Sequence, residues 1–177
     1  MEMWEESVTV EIRLEKTLTE AEWRTLFEWG RDIFGVADKL YQWRPKEWHF
    51  IVEENGRVVS HVGVLQTTVR AGEHAVRVGG IGGVVSVPDA QGRGHAQSAM
   101  RRAAEFMCDE LQVEFGMLFC LPGLAPFYAR QGWQLLEETV EFDQPSGPIV
   151  SPFNVMTLPC NSREWPGGKI DVGGLPW

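Results

Sequence analysis

Residues 84–100 read VVSVPDAQGRGHAQSAM, and this stretch decides the fold. A β-branched segment runs into Pro-Asp-Ala, glycines follow at Gly92 and Gly94, and a run of good helix formers begins directly after them. The pattern predicts a strand that passes through a glycine-bearing loop into the first turn of a helix. Unpaired N–H groups and the positive end of the helix dipole favour an anion there, and glycines let it approach the backbone. Because Arg93 adds positive charge, the stretch predicts a binding site for a pyrophosphate group.

Two other glycine-rich phosphate-binding patterns are excluded. The P-loop pattern G-x-x-x-x-G-K-[ST] does not occur in the chain. The run Gly-Gly-Ile-Gly-Gly at 79–83 precedes a predicted strand, whereas a dinucleotide fingerprint opens a helix. We interpret this run as strand with little side-chain bulk on one side, which leaves room for a ligand or a bulge.

The remaining sequence predicts the order β-α-β-β-β-α-β-α-β-β. Thr19 and Glu22 form a capping-box pattern before the first helix. Two turns, at 54–56 and 71–73, separate β-branched runs and predict an antiparallel meander. The last two strands are predicted at 133–142 and 153–158, and the Gly- and Pro-rich tail after them is predicted to be irregular. We therefore expect one α/β domain over residues 1–177, with a mixed, mostly antiparallel central sheet flanked by helices.

Composition limits the cellular setting and the partners. The acidic, alternating N-terminal segment does not resemble a signal peptide, and no apolar run approaches the roughly 20 residues that span a bilayer. Three widely spaced cysteines without C-x-x-C or metal spacing favour reduced core thiols in a cytoplasmic protein. We expect no metal and no membrane contact.

The formal net charge of −9 argues against nucleic-acid binding, which requires a basic face. It is compatible with a cationic small molecule as partner, because an acidic surface raises the local concentration of cations. The alternative is that the charge only keeps the protein in solution.

Two motifs carry a resemblance to a known family. VPDAQGRGHAQSAM resembles the acetyl-coenzyme-A signature of the GNAT superfamily of N-acetyltransferases, with Gln91, Gly94 and Ala96 at the motif positions. FYARQGW, residues 127–133, is similar to the second landmark of the superfamily, a Tyr on a short helix followed by Gly-aromatic. The resemblance spans residues 8–158. Within the superfamily, the central hairpins and the end of the chain resemble the aminoglycoside 2′-N-acetyltransferase group, with His61 and Gln66 at matching places.

The resemblance implies acetyl-CoA as the cofactor and Tyr128 as the acid that protonates the departing coenzyme A thiolate. It implies that the main chain of one strand pairs with the pantetheine arm and that an N–H group there, with Val85 as our candidate, polarises the thioester carbonyl. The implied strand residues are Val84, Val85, Ser86 and Val87. The implied pyrophosphate residues are Gln91, Gly92, Arg93, Gly94, His95 and Ala96.

The sequence departs from the pattern at Gly82, where aminoglycoside-type relatives carry a Glu that acts through water as general base. An alkyl ammonium with a pKa near 10.4 is deprotonated to only about one part in a thousand at pH 7, so a base is needed. His61 is our candidate base, and the alternative is a structural histidine. Cys120 lacks a base partner and is expected in the core.

The acceptor side is read from the same resemblance. Asp38, Trp43, Gly82 and Trp177 are the candidate acceptor-binding residues, and a carboxylate on Trp177 could bind an ammonium group. The alternative for Trp177 is that its ring only holds the tail in place.

We therefore predict an N-acetyltransferase that transfers acetyl from acetyl-CoA to a primary amine of a small cationic acceptor, with an aminoglycoside as one candidate. The alternatives are a coenzyme-A-binding sensor or interaction module with weak or no turnover, and an enzyme acting on protein N-termini or lysines. The oligomeric state is left open, with a homodimer among the alternatives.

Overall fold

The computed structural model describes residues 6–36 and 40–177, which form one ten-stranded mixed sheet flanked by helices. The strands are β1 (Val10–Glu15), β2 (Trp48–Glu54), β3 (Arg57–Ala71), β4 (His74–Ser86), β5 (Phe115–Cys120), β6 (Gln134–Leu135), β7 (Val140–Gln144), β8 (Gly147–Val150), β9 (Asn154–Pro159) and β10 (Ile170–Asp171). The helices are α1 (Glu20–Phe27), α2 (His95–Glu105) and α3 (Ala125–Ala129). The predicted α/β class with a mixed, mostly antiparallel sheet is confirmed.

The long strand β3 organises the sheet. It pairs antiparallel with β2, β4 and β10, and the order along the main path is β6-β9-β5-β4-β3-β10-β7-β8, with β1 added outside β2. The pairs β4–β5 and β7–β10 are parallel, and the other strand pairs of the described chain are antiparallel. Two clusters of buried apolar side chains cover the two faces of this sheet, and α2 packs within one of them.

Local sequence explains the central hairpins and the start of α1. The predicted turn at Asn55-Gly56 places both residues at positive φ, 50° and 77°, as a tight hairpin requires. The turn at Gly72 likewise has a φ of 59°. Thr19 and Glu22 form the predicted capping box. The meander is therefore confirmed.

The parallel pair β4–β5 opens partway along its length. The two strands are paired from Val78–Phe115 to Ile81–Leu118, and beyond this point β4 continues to Ser86 without β5 beside it. A β-bulge lies at the opening. His61 pairs with Val85 and Gly63 pairs with Gly82, so two residues of β4 stand opposite one residue of β3. Gly83, within the bulge, has a φ of 60° that favours glycine.

The C-terminal third differs from the prediction. The predicted strand at 133–142 is two strands, because β6 pairs with β9 whereas β7 pairs with β8 and β10. The tail predicted to be irregular contributes the short strand β10, which fills the gap between β3 and β7.

The expectation of three reduced thiols is wrong for two of the cysteines. Cys108, in the π-helical segment Phe106–Glu110 that continues α2, and Cys160, directly after β9, form a disulfide across a sequence separation of 52. Cys120 is free and buried, as predicted. Spacing along the sequence could not show that the end of α2 lies beside the end of β9.

No helix within residues 6–36 and 40–177 combines the length and the apolar character needed to cross a membrane.

Candidate active site

A cavity of about 930 Å³ lies where β4 and β5 separate. The main chain of β4 from Ile81 to Val84 lines one side, and the end of β5 lines another. Helix α1 with the loop that follows it, the loop 43–46 and the indole of Trp177 complete the wall, and α3 places Tyr128 against it. The site therefore lies at the opening of the sheet that the β4–β5 geometry creates.

Aromatic side chains line much of this cavity. On the α1 side, Phe27 lies 4.6 Å from Trp23 between ring centroids. On the opposite side, Trp43 lies 5.5 Å from Phe153. Trp23 is half exposed and Trp43 is 36% exposed, so apolar rings reach the mouth of the cavity as well as its interior.

The end of β4 carries less free main chain than the sequence predicts. Val84 lines the cavity. Val87 is committed elsewhere: its N–H donates to the Val59 carbonyl at 2.9 Å and its carbonyl accepts from the Ala90 N–H at 3.0 Å. Val87 is therefore removed from the predicted ligand-binding edge, which is left with residues 84–86.

Side chains hold the rest of this edge in place. The Ser60 hydroxyl donates to the Val85 carbonyl at 2.8 Å and lies 2.9 Å from the Ser86 hydroxyl. Gln91 donates from Nε2 to the Ser86 carbonyl at 3.0 Å, so its side chain positions the loop. Ala96 lies half-buried in the first turn of α2.

The glycine loop has the open geometry that the sequence predicts. Gly92 and Gly94 have φ values of 77° and 81°, and a Cβ at either position would meet no atom within 4 Å. Arg93 and His95 both bind Glu54, at 2.8 Å from Nη1 and 2.9 Å from Nε2 respectively. The hydrogen bond from His95, followed by the charge of Arg93, lowers the pKa of Glu54. Sequence reasoning assigned Glu54 to a turn and missed that it anchors the loop.

Tyr128 lies on α3, is 6% exposed and lines the cavity. Burial raises its pKa well above the usual range, with the nearby Cys120 adding to the effect. Burial also raises the pKa of Cys120 to about 11, which keeps this thiol protonated and unreactive.

Two histidines form a hydrogen-bonded chain that ends at the bulge. His61 is 1% exposed, and its Nδ1 lies 2.6 Å from the Gly83 carbonyl, so this nitrogen carries the proton. Its Nε2 lies 2.8 Å from Nδ1 of His49 and must accept. His49 therefore donates from Nδ1, and its Nε2 is unprotonated in the neutral pair.

Both histidines favour the neutral form. Burial lowers the pKa of His61 to about 4, although the hydrogen bond to Gly83 opposes this. Burial and the charge of Lys46 lower the pKa of His49. Both histidines line the cavity, but both ring nitrogens of His61 are hydrogen-bonded, whereas Nε2 of His49 has no such partner in the described chain. Sequence reasoning selected His61 and missed His49. The signal for His49 is that it lies on β2, the strand that pairs with β3 next to His61.

Lys46 fills the space beside Gly82. A Cβ on Gly82 would lie against the Lys46 side chain, 3.0 Å from its Nζ. This Nζ donates to the Arg44 carbonyl at 3.0 Å. Burial, together with the charge of Arg44, lowers the pKa of Lys46 to about 8. A cation thus lies where the aminoglycoside-type pattern has a carboxylate, and no sequence signal placed it there.

Of the other residues predicted to bind the acceptor, some lie at the cavity and some do not. Trp177 is buried, its indole N–H donates to the Met117 carbonyl at 3.0 Å, and its main-chain carbonyl carbon would lie 3.0 Å from a Cβ on Gly82. Trp43 lines the cavity, and Asp38 lies outside the described residues. Gln66 does not line the cavity; its N–H donates to Glu47.

Across residues 6–36 and 40–177, no cluster of three or more His, Cys, Asp or Glu side chains could hold a metal ion.

This arrangement of a split sheet, a bulged strand and a glycine loop at a helix N-terminus agrees with the family comparison. Residues 15–136 match the family model described as acetyltransferase (GNAT) domain. The chain therefore belongs to the GNAT acetyltransferase family. A search of the curated proteins finds no match.

Solved structures agree in fold. The Escherichia coli GNAT family N-acetyltransferase YhbS, in complex with CoA, superposes with a TM-score of 0.63 at 14% identity over 99% of each chain. Escherichia coli ElaA has a TM-score of 0.59 at 17% identity, over 85% of this chain and 99% of its own. An acyl-CoA N-acyltransferase from Pseudomonas aeruginosa has a TM-score of 0.55 at 19% identity, over 86% of this chain and 99% of its own. At these identities the likeness establishes the fold alone, and the aminoglycoside 2′ group stays a prediction.

Proposed function

We propose that the protein is an acetyl-CoA-dependent N-acetyltransferase that acts on a primary amine of a small acceptor. The observation that carries this proposal is the opening between β4 and β5, which joins a cavity of about 930 Å³ to an unpaired strand edge and to the glycine loop before α2. Family membership and the fold of the CoA complex of YhbS support the cofactor.

The residues fit coenzyme A along this path. The loop at 92–94 has positive φ at both glycines and open space where a Cβ would stand, so its N–H groups and those of the first turn of α2 would hold the pyrophosphate. The β4 main chain at 84–86 would pair with the pantetheine arm as an added strand does. Acetyl-CoA, when bound, supplies the activated acetyl group.

Tyr128 acts as the general acid. Acetyl-CoA, held by the glycine loop and β4, would supply the acetyl group to the attacking acceptor nitrogen, and Tyr128 would donate its hydroxyl proton to the coenzyme A sulfur as the carbon–sulfur bond breaks. The proton that the acylated nitrogen loses would return the Tyr128 phenolate to the phenol. The raised pKa keeps the phenol protonated at neutral and mildly basic pH, so the proton is in place before each turnover.

His49 acts as the general base, and His61 positions it. The Gly83 carbonyl orients His61, and His61 in turn fixes the tautomer of His49, leaving Nε2 to take a proton from the acceptor ammonium directly or through one water. This assignment replaces the predicted base role of His61 by a role that acts through His49.

The test is thiol release from acetyl-CoA with a panel of amines: amino acids, short peptides, polyamines and aminoglycosides. The chain has two tyrosines, so Tyr41→Phe is a matched control for Tyr128→Phe. We expect Tyr128→Phe to lower kcat by about 100-fold, because a positioned acid contributes on that order, whereas Tyr41→Phe leaves kcat unchanged.

The second candidate is a coenzyme-A-binding sensor without turnover, which is favoured by the cation that lies beside Gly82. Calorimetric binding of acetyl-CoA with no amine-dependent thiol release would support the sensor and reject the transferase. The cationic acceptor expected from the overall charge stays a prediction, and so does the cytoplasmic location.

A further inference from the structure

The charge of the cavity is opposite in sign to the charge of the whole chain. The sequence carries a formal net charge of −9. Among the described side chains that line the cavity, the cations are Lys16, Arg31, Arg44 and Lys46, whereas Asp32 is the single carboxylate. The acidic excess therefore lies outside the cavity.

Lys46 and Arg44 lie together at the acceptor end. Lys46 is beside Gly82, and Arg44 is held by a 2.8 Å hydrogen bond to Thr67 and by its place over the Trp177 ring, 5.6 Å from the centroid. No described side-chain carboxylate forms an ion pair with either cation, although eight ion pairs of Arg or Lys with a carboxylate are present elsewhere in the described chain. Both cations are half-buried, and Glu47 acts on Arg44 only through its charge. A half-buried cationic group favours an anionic partner, which a bound ligand can supply.

The aromatic side chains of the cavity wall favour an acceptor that carries an apolar group. Phe27 and Trp23 line one side of the cavity and Trp43 and Phe153 the other. A polyhydroxylated, polycationic acceptor would place its hydroxyl groups against these rings and its charge against Lys46. An apolar or aromatic group buries well at the same place.

We propose, on the basis of the function proposed above, that the acceptor is an amine that also carries a carboxylate and an apolar body, with the carboxylate bound by Lys46 and Arg44. A free apolar amino acid has this chemistry. Such a zwitterion has no net charge, so the acidic surface does not repel it as it would an anion. The two cations would also disfavour the protonated form of the acceptor amine, which helps His49 to remove its proton.

The experiment uses three acceptors that share one aromatic body and one amine: phenylalanine, phenylalaninamide and phenethylamine. Thiol release from acetyl-CoA is measured for the wild type, for Lys46→Met and for the control Lys169→Met, which removes an exposed lysine paired with Glu141. Lys46→Gln is a second variant in case the Met variant does not fold. The unreactive carboxylate 3-phenylpropanoate is tested as a competitor of the acceptor.

We expect phenylalanine to exceed the amide and phenethylamine by about tenfold or more in kcat/KM, since one charge-assisted contact is worth about that factor. Lys46→Met should raise KM for phenylalanine about tenfold and leave KM for the amide unchanged. Lys169→Met should change neither. Competition by 3-phenylpropanoate should weaken in Lys46→Met alone.

Better use of the amide, of phenethylamine or of a polycationic amine overturns the proposal while leaving the transferase function intact. A loss in Lys46→Met that is equal for all three acceptors also overturns it. If acetyl-CoA binds and no amine releases thiol, the transferase function fails. Calorimetry with 3-phenylpropanoate then decides the carboxylate site separately: binding that depends on Lys46 supports it, and absence of binding overturns it.

Discussion

The ring tautomers of His49 and His61 are coupled, because the hydrogen bond between the two rings determines which nitrogen of each ring carries the proton. The Gly83 carbonyl accepts only, so the proton of His61 stays on Nδ1, and His49 must donate to Nε2 of His61. The strand pairing that places these histidines on adjacent strands is the same pairing that contains the bulge. The proposed base is therefore oriented by the same strand pairing that contains the bulge at the opening of the cavity.

The first prediction concerns the pH dependence of turnover. The base must be unprotonated, so kcat should rise with pH through an acid limb. Since burial lowers the pKa of His49, the midpoint of that limb should lie below 6.5, the ordinary pKa of a histidine. His49→Gln should lower kcat by about 100-fold and abolish the limb, as measured by thiol release at saturating acceptor between pH 5 and about 9. The exposed His74→Gln is the control, and an unchanged limb in His49→Gln would remove His49 from the mechanism.

The second prediction concerns stability in acid. His61 titrates near 6.5 when unfolded and at about 4 when folded. The unfolded chain therefore binds the proton first, and the stability held above pH 6.5 is lost as the pH falls from 6.5 towards 4, by about 3 kcal/mol at most. Urea unfolding at stepped pH should show a shallower dependence over this window in His61→Gln than in the wild type or His74→Gln. Equal slopes would contradict the neutral, buried state of His61.

Sequence reasoning found the site residues whose signal is local and missed those brought in by pairing. Tyr128 sits in a motif read from seven adjacent letters, and the structure places it on the cavity wall. Glu54 reaches the loop across 39 residues to Arg93, and Lys46 lies against Gly82 from a loop with no regular pattern. The glycine at position 82 shows in the sequence that the carboxylate of the aminoglycoside-type pattern is missing. Which side chain fills the space beside Gly82 depends on tertiary packing and cannot be read from the sequence.

At the scale of elements, the junction from β4 to α2 combines two backbone devices within twelve residues of chain, Gly83 to Gly94. The bulge at Gly83 lies on the cavity wall, and Gly94 caps the start of α2 in the left-handed region. Glu54 on β2 binds Arg93 and His95, the residues on either side of Gly94. The loop is therefore fixed before any ligand arrives, which lowers the entropy lost on binding.

The third prediction tests this junction. Gly94→Ala puts a Cβ on a residue with a φ of 81°, which costs about 1–2 kcal/mol of folding stability and points the methyl group into the open space that we propose for the phosphate. Calorimetry should show that coenzyme A binds at least tenfold more weakly, since a phosphate loses its close approach to the backbone. The control is Gly167→Ala, where the Cβ is also in open space and φ lies outside the left-handed region. Equal affinity in the two variants would mean that the loop at 92–94 does not contact the phosphates.

The elements that the sequence predicts correctly are those whose ends carry turn or capping residues. Both central hairpins end at glycines in tight turns, and α1 begins at its capping box. No local residue pattern marks the break between β6 and β7. The break arises because β6 pairs with β9, whereas β7 pairs with β8 and β10. β10 is only two residues long and exists because β3 and β7 leave a gap between them.

At the scale of the whole molecule, the disulfide joins the two flanks of the split sheet. Cys108 follows α2, which leaves the glycine loop, and Cys160 follows β9, which supports β5. The bond thereby ties the C-terminal end of α2 to the end of β9 that lies beside the start of β5, away from the cavity. It also bears on the expected cytoplasmic location, since structural disulfides are rare where glutathione and thioredoxin keep thiols reduced.

The last prediction therefore concerns this bond. A loop of 52 residues closed in the unfolded chain corresponds to a stabilisation of about 4 kcal/mol by loop entropy. The double variant Cys108→Ser, Cys160→Ser should lose roughly 2–4 kcal/mol of unfolding free energy in oxidising buffer and match the wild type in reducing buffer. Thiol titration of the denatured, unreduced wild type should find one thiol, Cys120, and titration after reduction should find all three. Three thiols before reduction would restore the sequence-based expectation of reduced cysteines and remove the bond as a source of stability.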